Sequence, residues 1–209
     1  MQYIDILKNQ DIVREVVHNA NQISNYDFPY KFNSSMIVPH PQKRKHNALK
    51  IVMNNTDKFG KSGEKFNIYI DDYEIIKVST LIKDFPIHEC EESAFEESYY
   101  SALLIAFMKK MHEIHGDNYV NSAIKQRQKN LRLYITANIE AMKKRDEVLE
   151  SFQGFSEEQS IQQKNFAKTL NEHNELIDTI RQAISNQVSI ISYLEDMKKS
   201  DKTDYSEIY

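Results

Sequence analysis

The chain has 209 residues and a formal net charge of -4, with 40% hydrophobic and 28% charged residues. That balance supplies a packed core and excludes wholesale disorder, and so mild a charge gives the whole chain no field favouring nucleic acid or an anionic surface. The single cysteine, Cys90, excludes an internal disulfide and a multi-cysteine zinc site.

No apolar run approaches the roughly 18 residues that a bilayer-crossing helix needs. The start, Met1 to Asp5, has neither the basic residues nor the apolar stretch of a signal peptide. A cytoplasmic protein with no membrane partner is expected, free or built into a particle assembled there.

Residues 3–24 predict a helix, with Tyr3, Ile6, Leu7, Val13, Val16, Val17 and Ala20 on one face. Asn9 to Asp11 favours a break, because Asn and Asp prefer caps and turns. In residues 25–47 the aromatics Tyr26, Phe28, Tyr30 and Phe32 alternate with other residues, and Met36-Ile37-Val38 runs into Pro39 and Pro41. Proline cannot donate to a central ladder, so this segment reads as an extended sheet edge.

Leu49 to Met53 predicts a strand, followed by a polar loop from Asn54 to Glu64 carrying Gly60 and Gly63. Phe66, Ile68 and Ile70 then alternate at period two, Asp71-Asp72 offers a turn, and residues 73–78 predict the returning strand of a hairpin.

From Glu89 the chain reads as helix. Glu91, Glu92, Glu96 and Glu97 place negative charge at a helix start. The body from Ala102 to Ile114 is apolar nearly all round, which predicts the middle of a bundle, and His115-Gly116 predicts its stop. A second helix begins near Asn118 with Asp117 as cap. Its four-and-three spacing at Ile124, Gln128, Leu131, Ile135, Asn138, Met142, Arg145, Leu149 and Phe152 predicts a coiled-coil seam with polar interruptions.

Gly154 is expected to end that helix, and Ser156 with Gln159 to open the next by a capping box. So short a connection forces an antiparallel hairpin. The last helix repeats in sevens. Leu170, Ile177, Ile184 and Ile191 form one column, and Phe166, His173, Ile180, Gln187 and Leu194 the other. Ala183, Val188 and Ile190 widen the stripe beyond one neighbour. The polar tail from Ser200 is expected to be flexible.

Three chemical constellations fall short of their motifs. His112 and His115 are three apart, whereas a zinc-protease helix needs four, and His88 with Cys90 lies a whole helix away. Gly60-Lys61-Ser62 ends like a phosphate-binding loop, but Asn55 stands where the leading glycine belongs, and a strand follows. Cys90 sits among Glu89, Glu91 and Glu92, whose charge works against a thiolate. No catalytic residue, metal or cofactor is assigned.

The remaining signal is basic. Lys43, Arg44, Lys45 and His46, with Lys50 beyond, form a candidate contact for nucleic acid or an acidic partner, with nearby aromatics available to stack on bases. Short charge runs are common, and a plain solvated loop is the more ordinary explanation of this one.

The expected fold is α+β and mostly α: a small antiparallel sheet with an N-terminal helix over residues 1–87, three long helices over 88–199 ending in a coiled-coil-like hairpin, and a tail over 200–209. Such hairpins make extended contacts, so the expected function is a non-enzymatic scaffold, clamp or inhibitor that binds protein partners and forms a homo-oligomer. Its candidate interface comprises Ile135, Met142, Leu149, Leu170, Ile177, Ile184, Ile191 and Leu194. The alternative is a nucleic-acid-binding module using residues 40–50 and dimerised by the helices. Abundant Asn, Lys and Ile with sparse Gly and Pro resembles proteins of phages and other mobile elements, a compositional likeness that no specific motif carries.

Overall fold

The computed structural model describes residues 2–24, 30–43, 45–56, 62–76, 92–151 and 160–203. A 3-10 turn Tyr3–Lys8 is followed by helix α1 Gln10–Ile23 and strands β1 Tyr30–Pro39, β2 Asn47–Thr56 and β3 Ser62–Ile70. Then come helices α2 Glu92–His115, α3 Asp117–Glu150 and α4 Ser160–Thr203. The chain is mostly helical with one small antiparallel sheet, as the sequence predicts. Its contacts separate two compact units, Met1–Tyr119 and Val120–Tyr209. The sequence puts α2 with the later helices, yet α2 packs against α1 inside the first unit. The expected boundary near residue 87 lies outside the described residues.

In the first unit the predicted break occurs at Asn9, whose side chain accepts from the Asp11 N–H at 3.0 Å and so caps α1. Val13, Val16, Val17 and Ala20 form the buried face of α1, at the spacing read from the sequence. Lys110 of α2 pairs with Glu15 of α1 at 2.8 Å at the rim of their contact.

The sheet order is β1-β2-β3, so proline-bearing β1 is an edge and β2 the centre. Leu49 and Ile51 of β2 stand opposite Ile70 and Ile68 of β3, and all four are buried on one face. Two expectations change here. The ladder extends to Thr56 opposite Ser62, so much of the predicted loop Asn54–Glu64 is strand. The predicted strand 73–78 shrinks to a single bridge, Ile75 with Ile70; residues beyond 76 lie outside the described set.

The reason is Asp71. Its Oδ1 accepts from the Tyr73 and Glu74 N–H groups at 2.8 and 2.9 Å, which winds the backbone into a local turn instead of feeding a ladder.

An aromatic group closes the far end of this unit. Tyr3 meets Tyr73, His115 and Tyr119 edge-on at 6.2, 5.0 and 5.3 Å, and the Tyr119 hydroxyl donates to the Asp72 carbonyl at 3.1 Å. Gly116 makes the junction of α2 and α3, with φ +61 and its N–H on the His112 carbonyl at 2.7 Å.

The second unit is a helical pair. At 1.5 Å per residue the 34 residues of α3 span about 51 Å and the 44 of α4 about 66 Å. The predicted turn at Gly154 and the box from Ser156 to Gln159 lie outside the described residues. The pairing is antiparallel, because residues early in α3 meet residues late in α4: Lys198 Nζ donates to Asn121 Oδ1 at 2.8 Å, and Arg127 Nη1 to Gln187 Oε1 at 3.3 Å. Helix α4 runs on to Thr203, past the expected start of the tail at Ser200.

Candidate functional site

The basic segment forms the connection between β1 and β2, and His40 organises it. This side chain is buried, and its Nδ1 accepts from the Gln42 and Lys43 N–H groups, both at 3.0 Å. An imidazole nitrogen that accepts two N–H groups carries no proton, so the proton sits on Nε2, which faces Asp71 Oδ2 at 3.6 Å.

Lys43 turns inward. Its Nζ donates to Asp71 Oδ2 at 2.8 Å and to Glu74 Oε1 at 3.2 Å. Burial works to raise the Asp71 carboxyl, but the hydrogen bonds from Lys43 and from the Tyr73 and Glu74 N–H groups outweigh it and hold the group below its usual range. Burial likewise works to lower Lys43, yet the bond to Asp71 and that carboxylate's charge raise it overall. Burial first, and the Lys43 charge second, depress His40. These residues form a clip that ties the β1–β2 connection to the turn after β3.

The other predicted contacts divide. Lys45, held at φ 66, and His46 are exposed, while Arg44 lies outside the described residues. Lys50 is half-buried on β2 with Nζ 5.9 Å from the centre of the Tyr69 ring, a cation–π arrangement that engages its charge. Of the cations that the sequence aligns in one run, the fold therefore commits Lys43 and Lys50 to internal contacts.

The weaker constellations also find positions. His112 Nε2 lies 3.5 Å from Asp117 Oδ1 and His115 packs on Tyr3; His88 and Cys90 lie outside the described residues. Among the described residues, no group of three or more His, Cys, Asp or Glu is placed to hold a metal ion. Ser62 and Gly63 open strand β3, with Gly60 and Lys61 outside the described set. No helix among the described residues is long and apolar enough to cross a membrane.

The helical candidates separate by face. On α4, Leu170, Ile177, Ile184, Ile191 and Leu194 all lie on the covered side, with Ile177 and Leu194 fully buried. Val188, expected in the same stripe, is exposed instead. On α3 the predicted seam is two columns facing different ways. Ile124, Leu131, Asn138 and Arg145 are partly covered, and the column is completed inward by Val120, Ala123, Arg127 and Ala141, all buried. Gln128, Ile135 and Leu149 are exposed, the last two at 43% each, and Met142 is half-buried.

Those exposed positions belong to a second heptad pattern that the sequence reading did not isolate. Exposed Gln128, Arg132, Ile135, Ile139, Asp146 and Leu149, with half-buried Met142 that also touches Asn138 of the covered side, step by four and three residues along one flank of α3. Ile139 is its centre and is 62% exposed. It shares a shallow groove with Met142, Lys143, Asp146, Glu147 and Glu150, all on α3.

The chain matches no protein-family model, and no curated protein or solved structure matches it.

The arrangement is a partly apolar line on an exposed flank of α3. Alternating four-and-three steps keep apolar groups on one line of a helix, and such a line gains free energy only when another surface covers it. The signal was present in the sequence as Ile139 four residues after Ile135 and three before Met142.

Proposed function

We propose that this chain is a non-enzymatic interaction or assembly protein whose working surface is the long α3–α4 helical pair, used to contact protein partners, copies of itself included. The observation that carries the reading is the line of α3 where Ile135, Ile139 and Leu149 stay exposed while Val120, Ala123, Arg127 and Ala141 of the same helix are buried. Isolated exposed apolar residues are ordinary on protein surfaces. A line of them at heptad spacing, flanked by charges, is the anatomy of a helix awaiting a partner.

The clip in the first unit supports the same choice over a nucleic-acid reader. Phosphate contacts need free cations, and Lys43 is spent on Asp71 and Glu74. Among the described residues of that segment, the exposed Lys45 and His46 are what the alternative retains.

The test is capture by the full-length chain from lysate of its native host, with wild type compared to Ile139→Lys and to Lys45→Ala/His46→Ala. The reading predicts protein partners that Ile139→Lys loses and Lys45→Ala/His46→Ala keeps. Recovery of nucleic acid that Lys45→Ala/His46→Ala alone abolishes would overturn it.

A further inference from the structure

We infer that the β1–β2 connection is a proton-operated latch, in which a proton taken up by His40 passes Asp71 from Lys43 to His40 and frees the connection from the turn after β3. The latch lies wholly within the first unit and is separate from the α3–α4 surface.

In the closed latch one ring holds the backbone and one ammonium holds the side. His40 Nδ1 accepts the Gln42 and Lys43 N–H groups, both at 3.0 Å, and the Lys43 ammonium anchors the same segment to Asp71 Oδ2 at 2.8 Å and Glu74 Oε1 at 3.2 Å. The His40 N–H donates to the His46 carbonyl at 2.9 Å, which closes the loop on itself. A proton added at Nδ1 sets a donor against two donors, so both backbone bonds are lost together.

The same proton supplies Asp71 with a second cation. His40 Nε2 is buried with no hydrogen-bond partner among the described residues, and it lies 3.6 Å from Asp71 Oδ2. The Asp71 side chain is only 8% exposed and needs a cation beside it. Imidazolium and ammonium then compete for one carboxylate and repel each other across it. The His40 side chain is 1% exposed and that of Lys43 is 43% exposed, so solvent takes the ammonium, whose own N–H no longer anchors it.

The other charges around the ring fit this exchange. His46, from the connection, opposes the imidazolium, and Asp71 favours it. Glu74 acts through Lys43, and the Asp72 carboxylate is turned to the Ile4 N–H at 2.8 Å. Opening places Lys43 beside exposed Lys45 and His46, so acid adds a free cation to this end of the sheet.

Nuclear magnetic resonance of the full-length chain tests the exchange. Removing the competing ammonium in Lys43→Met should raise the titration midpoint of the His40 ring by at least about half a pH unit, while Lys45→Met leaves it in place. Amide-exchange protection of Gln42 and Lys43, taken against the unstructured rate at each pH, should fall at least about threefold from about pH 7 to pH 5. Leu49 and Ile51 of β2 should keep theirs, and His40→Asn should abolish the fall. A His40 midpoint that ignores Lys43→Met overturns the exchange of partners. Protection lost at Gln42 and Lys43 only in step with Leu49 and Ile51, or not lost at all, overturns the latch.

Discussion

Arg127 of α3 donates through Nη1 to Oε1 of Gln187 on α4 at 3.3 Å, and both side chains are buried, at 3% and 7% exposure. A guanidinium and an amide in the seam of two helices cost desolvation, and they fix which residues face each other. Replacing Gln187 with Leu removes an acceptor from a buried cation. The expected loss is about 1–3 kcal/mol of stability, read by urea denaturation. An unchanged midpoint would mean that this contact contributes nothing to the pairing.

Asn138 lies on the same covered side of α3, with Nδ2 3.6 Å from Met142 Sδ, while its Oδ1 is buried with no hydrogen-bond partner. Asn138→Leu removes that unmet polar group from an apolar seam and should stabilise the chain by about 1 kcal/mol. Differential scanning calorimetry checks it. A lower melting temperature would show that Asn138 meets its needs in a way that the leucine cannot.

Lys43 and Lys45 are neighbours in sequence with different duties. Lys43 neutralises the buried Asp71, so Lys43→Met should cost about 1 kcal/mol, a value kept low because the lysine side chain is 43% exposed. Lys45→Met should leave stability within about 0.5 kcal/mol, as surface substitutions do. Chemical denaturation of the two variants side by side decides it, and equal effects would remove the distinction.

The clip also makes stability depend on pH. His40 accepts two backbone N–H groups only when neutral, and its folded pKa lies below the ordinary 6.5. The unfolded chain therefore binds its proton first. This contribution is complete above about pH 6.5 and drains away as pH falls through the lower folded value, at no more than about 1.4 kcal/mol per pH unit. The charges around it are Asp71, which favours protonation, and Lys43 and His46, which oppose it. Asp71, depressed in the folded state, adds stability above about pH 3.8 that is lost at lower pH; Asp72, raised chiefly by burial, works in the opposite direction. His40→Asn keeps a side-chain acceptor near the same position and cannot titrate. Thermal melts between about pH 7 and pH 5 should show a flatter slope for His40→Asn than for wild type; parallel slopes would assign the pH dependence elsewhere.

Much of this was legible in the sequence, and the failures have physical causes. The columns of α4 could be read because Leu170, Ile177, Ile184 and Ile191 recur every seven residues with polar residues between them. On α3 two adjacent heptad columns are both partly apolar, and periodicity cannot say which of them a neighbour covers. Arg127 escaped because arginine is rarely buried, so its place in the inward column invites no attention. The strand after Asp71 failed because an aspartate that caps two N–H groups competes with ladder pairing. The partner of Lys43 in the basic run was illegible for a different reason. The anion that neutralises Lys43 is Asp71, 28 residues away, brought close only by the sheet.

The central claim is that the outer line of α3 drives association, and molar mass by light scattering across a dilution series tests it most directly. The account predicts a wild type that moves from a multiple of the chain mass of 24.6 kDa to the single-chain value on dilution. It predicts an Ile139→Lys variant that stays at the single-chain value with an unaltered helical circular dichroism spectrum. A wild type of single-chain mass at every concentration, or a substituted chain that associates as well as wild type, would contradict it.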